Sequence, residues 1–246
     1  MARHRVPPGP PAAPPVQRLR FRYAKRGRLR FSSTRDFQRA LERALRRAAV
    51  PTAFSSGFHP HPRISYANAA PTGTASEAEY VEIALVERVD PEAVRRALDA
   101  ALPVGLDVLE VVEVGLGGGA SLSDLLQASH WRFELPGVAV ATAAAARAEF
   151  LGLDTAEVTR MTKSGSRGID VRAATVRLEV MPAAEVPCAI LQVVVRHTTP
   201  VVRPDDFLTA LRTYAHLTLP SPPLVTRLAQ GPLTDAGVAD PLVAVQ

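Results

Sequence analysis

The chain has 246 residues, 47% of them hydrophobic, so it is long enough for one large domain or for two domains of about 100 residues each. Its single cysteine, Cys188, excludes an internal disulfide bond and an iron–sulfur cluster held by several cysteines of this chain. No apolar run reaches the roughly 18 residues of a membrane-spanning helix, and no apolar stretch follows Arg3 and Arg5 as in a secretory signal. We therefore expect a cytoplasmic protein that is not associated with a membrane.

The first segment in chain order is rich in proline. Six prolines lie between Pro7 and Pro15, and the segment has too little apolar surface to offset the entropy lost on ordering. We therefore predict that residues 1–17 form a disordered tail.

A basic strand and a basic helix come next. Hydrophobic and basic residues alternate from Arg18 onward, turn at Gly27 and resume the alternation up to Phe31, which predicts extended chain. Ser33, with an acidic residue three positions later, predicts the start of a helix, and Pro51 predicts its end. One face of this helix is apolar, and arginine recurs at every fourth position of another face.

The next elements complete a first domain. Residues 52–66 and 78–86 are predicted to be extended. Asp90, followed by proline, predicts the start of a second helix, and residues 106–114 are predicted to form a closing strand.

The second half repeats this order after a glycine-rich break. We predict a linker at 116–128, a second domain at 129–232 and a loosely ordered tail at 233–246. The predicted elements of the second domain are a strand at 131–135, a helix at 138–150, a hairpin at 158–181, a strand at 189–195, a helix at 204–217 and a strand at 224–228.

Both halves therefore follow the order β-α-β-β-α-β. That order is typical of the ferredoxin-like fold. The predicted fold class is α+β, with two tandem ferredoxin-like domains at 18–115 and 129–232. The halves share this order without a repeat in their sequences.

The basic residues are concentrated between Arg18 and Arg63. This stretch has 13 arginine or lysine residues and two acidic ones, a net charge of +11, whereas the rest of the chain is net negative. Such a cluster indicates a surface that binds a polyanion, with nucleic acid the first candidate; the alternative is a solvated arginine-rich face. The residues predicted to bind nucleic acid are Arg20, Arg22, Lys25, Arg28, Arg30, Arg35, Arg39, Arg43, Arg47, His59, His61 and Arg63.

Four of these arginines, at every fourth position from Arg35 to Arg47, are expected to form one exposed stripe of the first helix. Their spacing places them away from the apolar face of that helix.

Two histidines lie in the proline-rich stretch from Gly57 to Arg63. Alternate residues of an extended chain face the same side, so His59 and His61 can converge. A zinc site needs three or four ligands, and no further cysteine, histidine or acidic cluster nearby supplies them, so we predict no metal and no cofactor. Three roles stay open for this loop: recognition of a base or phosphate, acid–base cleavage of RNA, and a structural role.

Two other groups of charged residues give weaker indications of a functional role. Glu77, Glu79 and Glu82 are expected at an exposed strand edge. In the second domain, Lys163 and Arg167 lie at the predicted hairpin tip, where they are expected to make a second phosphate contact.

Three stretches of the first domain carry a resemblance to a known family: Tyr23–Ser33, Asp36–Arg47 and Phe54–Ile64. The chain resembles the radical-SAM-linked family, a bacterial domain of unknown function whose genes lie beside, or are fused to, those of a radical SAM protein. The resemblance is strong over residues 18–115 and weaker up to about residue 232. It implies a radical SAM protein as a partner but no reaction, and Thr34 stands where the family commonly has a histidine. A looser likeness, of fold and of the His59 turn, is to the ferredoxin-like endoribonucleases that process CRISPR repeat RNA.

The charge cluster and the resemblance together suggest one function. We expect an accessory protein that binds RNA, such as tRNA or ribosomal RNA, and works with a separate radical SAM enzyme. Two alternatives remain: a metal-independent endoribonuclease that uses His59 or His61, and a protein-interaction module whose basic face docks on an acidic partner.

Overall fold

The computed structural model of the chain describes residues 12–117, 119–162, 165–184 and 188–243. Within these ranges the protein is α+β, and its strands pair mainly antiparallel. The strands are β1 (Gln17–Lys25), β2 (Ile64–Ala67), β3 (Ala75–Leu85), β4 (Val108–Val114), β5 (Ala128–Pro136), β6 (Glu157–Thr162), β7 (Gly165–Asp170), β8 (Thr175–Pro182), β9 (Cys188–Arg196), β10 (Leu224–Gly231), β11 (Leu233–Thr234) and β12 (Gly237–Val238). The helices are α1 (Thr34–Arg47), α2 (Pro91–Ala101), α3 (Leu122–Leu125), α4 (Val140–Leu151), α5 (Val171–Ala174) and α6 (Pro204–Tyr214).

The described residues divide into two compact units, and the division does not follow chain order. Unit 1 takes residues within 1–69, 79–123 and 242–246, whereas unit 2 takes those within 70–78 and 124–241. The strand β3 therefore belongs to unit 2 at its beginning and to unit 1 from Glu79 onward.

In unit 1 the order of neighbouring strands is β4-β1-β3-β2. β1 pairs antiparallel with β4, with Arg18 opposite Val114, and β2 pairs antiparallel with β3, with Ser65 opposite Glu82. The core of the unit is formed by side chains of β1, β3, α1 and α2. Both helices therefore cover the same face of these strands.

The predicted alternation of β1 is confirmed. Leu19, Phe21 and Tyr23 are buried in the core of unit 1, where the Tyr23 ring stacks on the Phe37 ring at a centroid distance of 4.1 Å. Burying each such side chain contributes roughly 1.5–3 kcal/mol. The intervening arginines therefore point to the opposite face of the strand, away from the helices.

The helix α1 begins where the sequence predicts it, at a capping box. Ser33 Oγ accepts a hydrogen bond from the Asp36 N–H at 3.2 Å, and Asp36 Oδ2 accepts one from the Ser33 N–H at 3.1 Å. The hydrogen bonds that Ser33 donates to the Asp36 carboxylate, from its hydroxyl and its N–H, hold the pKa of Asp36 below its usual value. The apolar face of the helix buries Phe37, Leu41 and Leu45.

The prediction of renewed extended chain after Gly27 is wrong. Gly27–Phe31 is a 3-10 helix, in which the Leu29 N–H donates to the Arg26 carbonyl and the Ser32 N–H to the Leu29 carbonyl, both at 3.0 Å. Over five residues, an apolar side chain at every second position does not distinguish a strand from a single 3-10 turn.

In unit 2 the order of neighbouring strands is β10-β5-β9-β8, with antiparallel pairing throughout. The other edge of β10 pairs in parallel with the beginning of β3, where Thr226 lies opposite Ala75 and Arg227 opposite Ser76. Helices α4 and α6 contribute Phe150 and Phe207 to the core, whose rings meet edge to face at 5.8 Å.

The predicted hairpin at 158–181 is confirmed up to Asp170, with Thr162 opposite Gly165 next to the predicted turn, but it is wrong beyond that residue. β6 and β7 pair with each other as a separate two-stranded sheet, whereas β8 pairs with β9. The short helix α5 separates β7 from β8, and Asp170 begins it by accepting a hydrogen bond from the Ala173 N–H at 3.1 Å. The strand pattern continues on both sides of α5, so the interruption has no strong signal in the sequence.

The two ends of the chain differ from the prediction where they are described. Residues 1–11 lie outside the described part, but Gln17 belongs to β1 and is 2% exposed. Its side-chain amide donates to Val89 O at 3.0 Å and to Glu113 Oε2 at 2.8 Å. The tail predicted as loosely ordered after residue 232 instead contains the β11–β12 pair and the buried Leu242.

Candidate nucleic-acid interface

The arginine stripe, defined as Arg35, Arg39, Arg43 and Arg47, lies on the outer face of α1. All four side chains are exposed, as the spacing predicts. Among the residues that the structure describes, none of the four has a carboxylate within ion-pair distance, and Arg47 Nη1 donates to the Ala101 carbonyl at 3.1 Å. Asp36 is near enough to Arg35 and Arg39 to feel their charge, but four like charges on one face without a close ion pair still create a positive potential that attracts an anion.

The arginines of β1 are in a different situation, because carboxylates of the same unit compensate them. Arg20 Nη2 lies 2.8 Å from Glu82 Oε2, and Arg18 Nε lies 3.4 Å from Glu82 Oε1. Arg22 Nη2 lies 3.2 Å from Glu110 Oε2. Part of the basic cluster seen in the sequence is therefore neutralised within the fold.

Two predicted interface residues are buried. Arg20 is 2% exposed and Lys25 is 6% exposed. Side chains that are covered to this degree present no surface to a polyanion, so the interface proposed below omits both. The guanidinium of Arg20 donates from Nη2 to Glu82 Oε2 at 2.8 Å, so a carboxylate of the fold takes the place of solvent there.

The 3-10 helix presents the next two predicted residues. Arg28 is exposed, and the Arg30 guanidinium carbon lies 4.9 Å from the centroid of the Phe31 ring. Phe31 is 59% exposed, so this cation–π pair is open to solvent on one side.

Residues 53–63, here called the histidine hairpin, hold the two predicted histidines. Phe54 bridges to Pro62, the Ser55 N–H donates to the His61 carbonyl at 2.8 Å, and the His61 N–H donates to Ser55 Oγ at 3.0 Å. The turn includes Gly57 at φ +136°, a conformation that glycine adopts at little cost.

The tip of the histidine hairpin is open to solvent. Phe58 is 54% exposed, and His59 beside it is exposed as well. An exposed aromatic ring next to an imidazole on a closed turn is suited to stacking on an unpaired base.

At the base of the histidine hairpin is an open pocket of about 450 Å³, here called the Arg63 pocket. His61, Arg63 and Ser65 occupy alternate positions of the chain and all line it. Its other lining residues are Pro15, Arg18, Ser55, Pro62, Ile64, Glu82, Ile83 and Ala84. All of them belong to unit 1.

The structure therefore sorts the predicted residues into two places on unit 1. His61 and Arg63 meet at the Arg63 pocket, beside the β1 face that carries Arg18. The arginine stripe lies on the helical side, because α1 packs on the opposite face of the strands.

Sequence reasoning missed several residues of these sites. Arg18, Ser55, Ser65 and Glu82 line the Arg63 pocket, although Glu82 was expected at an exposed strand edge. That expectation is wrong for Glu82, whose side chain is 13% exposed and bonded to two arginines, and for Glu79, which is 1% exposed. Sequence reasoning also missed the exposed Phe58. Its position between Gly57 and His59 was the signal that could have indicated a place at the tip of a turn.

In unit 2 the predicted phosphate contact is only partly described. Lys163 lies outside the described residues. Arg167 is exposed on β7, where it lies opposite Arg160 of β6. Arg160 is itself engaged in a short ion pair with Asp206 at the start of α6, so Arg167 is the more available of the two.

Unit 2 also contains a pocket of about 760 Å³, which is lined in part by Arg196 and His197. The His197 ring is fixed from both sides, because Nδ1 lies 2.5 Å from the Leu126 carbonyl and Nε2 lies 2.8 Å from Ser129 Oγ. The carbonyl can only accept, so Nδ1 carries the proton and Nε2 accepts from the serine. Burial lowers the pKa of His197 below 6.5, against the hydrogen bond to Leu126 and with a further contribution from Arg227.

In the described ranges, no three histidine, cysteine, aspartate or glutamate side chains come together in a way that could hold a metal ion. No helix in the same ranges is long and apolar enough to cross a membrane.

Comparison with known proteins places the chain in a family. A family model described as an uncharacterized protein conserved in bacteria, DUF2344, matches residues 18–204. The chain belongs to this family. The range shared with DUF2344 includes α1 and the whole histidine hairpin. No curated protein matches the chain. Because the description of DUF2344 names no activity, the function has to be argued from the site.

Proposed function

We propose that the protein is a cytoplasmic accessory protein that binds RNA through unit 1 and works with a separate radical SAM enzyme. One observation carries the RNA-binding part of the proposal. The arginine stripe is exposed and has no carboxylate within ion-pair distance among the described residues, whereas the β1 arginines are paired with carboxylates.

The geometry of α1 favours a repeating anion as the ligand. Residues four apart on a helix rise by about 6 Å, so the stripe presents four guanidinium groups in a row. A nucleic-acid backbone offers phosphates in a row, and arginine binds them with charge-assisted hydrogen bonds. A single small anion would use only one or two members of such a row.

The histidine hairpin favours RNA with unpaired bases. Its tip exposes Phe58 and His59, and base stacking on exposed aromatic rings is how proteins commonly recognise single-stranded RNA. The predicted roles of His59 and His61 in recognition are part of this proposal.

The radical SAM partner and the assignment of the ferredoxin-like fold are also proposals. The resemblance to the radical-SAM-linked family supports a radical SAM enzyme as the partner. The strand orders β4-β1-β3-β2 and β10-β5-β9-β8, each accompanied by two helices that contribute to the core, support two ferredoxin-like domains at 18–115 and 129–232.

The test measures binding of a single-stranded RNA by fluorescence anisotropy at 50, 100 and 200 mM salt. If each arginine of the stripe neutralises one phosphate, the logarithmic salt slope should be about −2.8, and affinity should fall about 50-fold over this range. The double variant Arg39→Glu/Arg43→Glu should lose most of the binding and flatten the slope. Exposed helix positions tolerate such changes, so the fold should survive.

The matched control is Arg96→Glu/Arg212→Glu. These two arginines are exposed on α2 and α6, so the control makes the same change in net charge at residues that do not belong to the stripe. Equal losses in the two double variants would contradict a specific role of the stripe. RNA cleavage that disappears in His59→Ala or His61→Ala would replace the proposal by the endoribonuclease alternative.

A further inference from the structure

The 3-10 helix at Gly27–Phe31 displays an aromatic ring close to the beginning of α1. Phe31 is the last residue of this helix, and it is 59% exposed although phenylalanine is a residue that folding usually buries. Arg35, the first member of the arginine stripe, follows four residues later, so the Cα atoms of Phe31 and Arg35 lie at most about 14 Å apart. The ring therefore lies near the first charge of the stripe.

Contacts on both sides of the 3-10 helix hold it in place. At its beginning, the Arg26 N–H donates to the Gly105 carbonyl at 2.8 Å, and Arg26 Nη1 lies 2.8 Å from Asp107 Oδ2. At its end, the Ser32 hydroxyl donates to the Leu29 carbonyl at 2.6 Å. A ring on an anchored turn loses little conformational freedom when a ligand binds, which favours binding.

Arg30 adds a positive charge beside the ring. Its guanidinium carbon lies 4.9 Å from the centroid of the Phe31 ring. Among the described residues, no carboxylate lies within ion-pair distance of Arg30, and its covered Nε–H has no hydrogen-bond partner. The ring is therefore the contact that orients this guanidinium, and no close ion pair compensates its charge.

The chemistry of the ring favours a base over a phosphate. The face of an aromatic ring carries the negative part of its quadrupole, so it does not attract an anion. A nucleobase is flat and stacks on such a face, whichever of the four bases it is. The face of a base is accessible to a protein ring where the strand is unpaired. The ring and the stripe therefore suit different parts of a nucleotide chain.

We propose that Phe31 and Arg30 form a nucleotide site at the beginning of the arginine stripe, in which Phe31 stacks on an unpaired base and Arg30 binds the adjoining phosphate. The inference rests on the proposed function and extends it, because it requires the RNA to be single-stranded where it meets the start of α1. It also adds a base contact separate from the one proposed for Phe58 at the tip of the histidine hairpin.

The test compares a single-stranded RNA of about 12 nucleotides with a chain of the same length built from abasic riboses. Phe31→Ala should bind the RNA about tenfold more weakly than the wild type, the size of one lost stacking contact, and should bind the abasic chain with unchanged affinity. Phe31→Trp, which keeps an aromatic face, should retain the affinity for RNA. The matched control is Met161→Ala, which removes an exposed apolar side chain of unit 2 and should change neither affinity.

The salt slope separates this inference from the proposed function. Phe31 carries no charge, so Phe31→Ala should keep the wild-type slope, whereas Arg39→Glu/Arg43→Glu should flatten it. Equal RNA affinity of the wild type and Phe31→Ala would overturn the inference and leave the role of the stripe intact. An equal loss with RNA and with the abasic chain would also overturn it, because the ring would then act on the charged groups and not on a base.

A second measurement decides the case in which the wild type binds no RNA and the proposed function fails. Nuclear magnetic resonance should show the Phe31 ring protons shifting when adenosine monophosphate is added, and not when ribose 5-phosphate is added. Such shifts would support the nucleotide site without the RNA proposal. Unchanged ring signals with both ligands would remove the site.

Discussion

At the scale of single residues, His197 shows how burial and hydrogen bonding fix one protonation state. Its Nδ1–H donates to Leu126 and its Nε2 accepts from Ser129, so the neutral ring satisfies both neighbours. Protonation of Nε2 would place a second N–H donor opposite the Ser129 hydroxyl, in a site that is partly shielded from water. This cost lowers the pKa of His197.

This lowered pKa makes the stability of the protein depend on pH. Between the folded pKa of His197 and the unfolded value near 6.5, the unfolded state binds more protons than the folded state. The free energy of unfolding should therefore fall as pH drops below about 6.5 and level off below the folded pKa. His197→Gln keeps a donor and an acceptor but does not titrate, so urea unfolding from pH 7.5 to 5.0 should show a shallower fall in the variant.

Comparison of the wild type with His197→Gln separates the contribution of His197 from those of other titrating groups. His130 also has a pKa lowered by burial and contributes to the fall in the free energy of unfolding of both proteins. The contribution of His197 is therefore the difference between the curves of the wild type and His197→Gln. Parallel curves for the wild type and His197→Gln would show that the pKa of His197 is the same in the folded and unfolded states.

At the scale of elements, the arginine stripe depends on α1 beginning at Ser33. The capping box satisfies two N–H groups that would otherwise lack partners at the start of the helix. Ser33→Ala should lower the free energy of unfolding by about 1 kcal/mol, as measured by urea denaturation. Ser33→Thr, which keeps the hydroxyl, should lose much less, and a loss of similar size in both variants would point to packing rather than capping.

The elements that the sequence predicted share local signals. α1 and α2 have cap residues and apolar stripes, and β1 has strict alternation from Arg18 to Tyr23. The 3-10 helix at Gly27–Phe31 and the interruption by α5 were not predicted, because hydrogen bonds over three residues and a single capping aspartate leave no distinctive periodicity.

The two candidate surfaces also differ in whether local sequence signals predict them. The exposure of the arginine stripe follows from helical spacing alone, so the sequence was sufficient. The Arg63 pocket depends on Ser65 of β2 lying opposite Glu82 of β3 and on Arg18 reaching the same carboxylate. Such contacts between distant segments need the pairing of strands, which single-sequence patterns do not specify.

At the scale of the whole molecule, unit 2 includes a segment from the first third of the chain. Ala75 and Ser76 pair with β10, and Gln230, which is fully buried, donates to the Ala78 carbonyl at 2.7 Å. Removal of this segment would expose one edge of β10 and take the partner from a buried amide.

A fragment of residues 124–243 should therefore be less stable than unit 2 in the full chain. We expect a lower urea midpoint and a tendency to associate through the β10 edge, measurable by urea denaturation and analytical ultracentrifugation. The control is the same fragment with residues 70–78 fused to its N-terminus through a flexible linker, which should recover part of the midpoint. A fragment as stable and as monomeric as the full chain would show that the parallel pairing contributes little.

The parallel pairing of β3 with β10 also sets a waiting time during synthesis. Ala75 and Ser76 leave the ribosome about 150 residues before Thr226 and Arg227, with which they pair. At roughly 5–20 residues per second, this interval lasts about 8–30 s. Throughout it the nascent chain carries an unpaired strand edge, which is a surface for chaperones to protect.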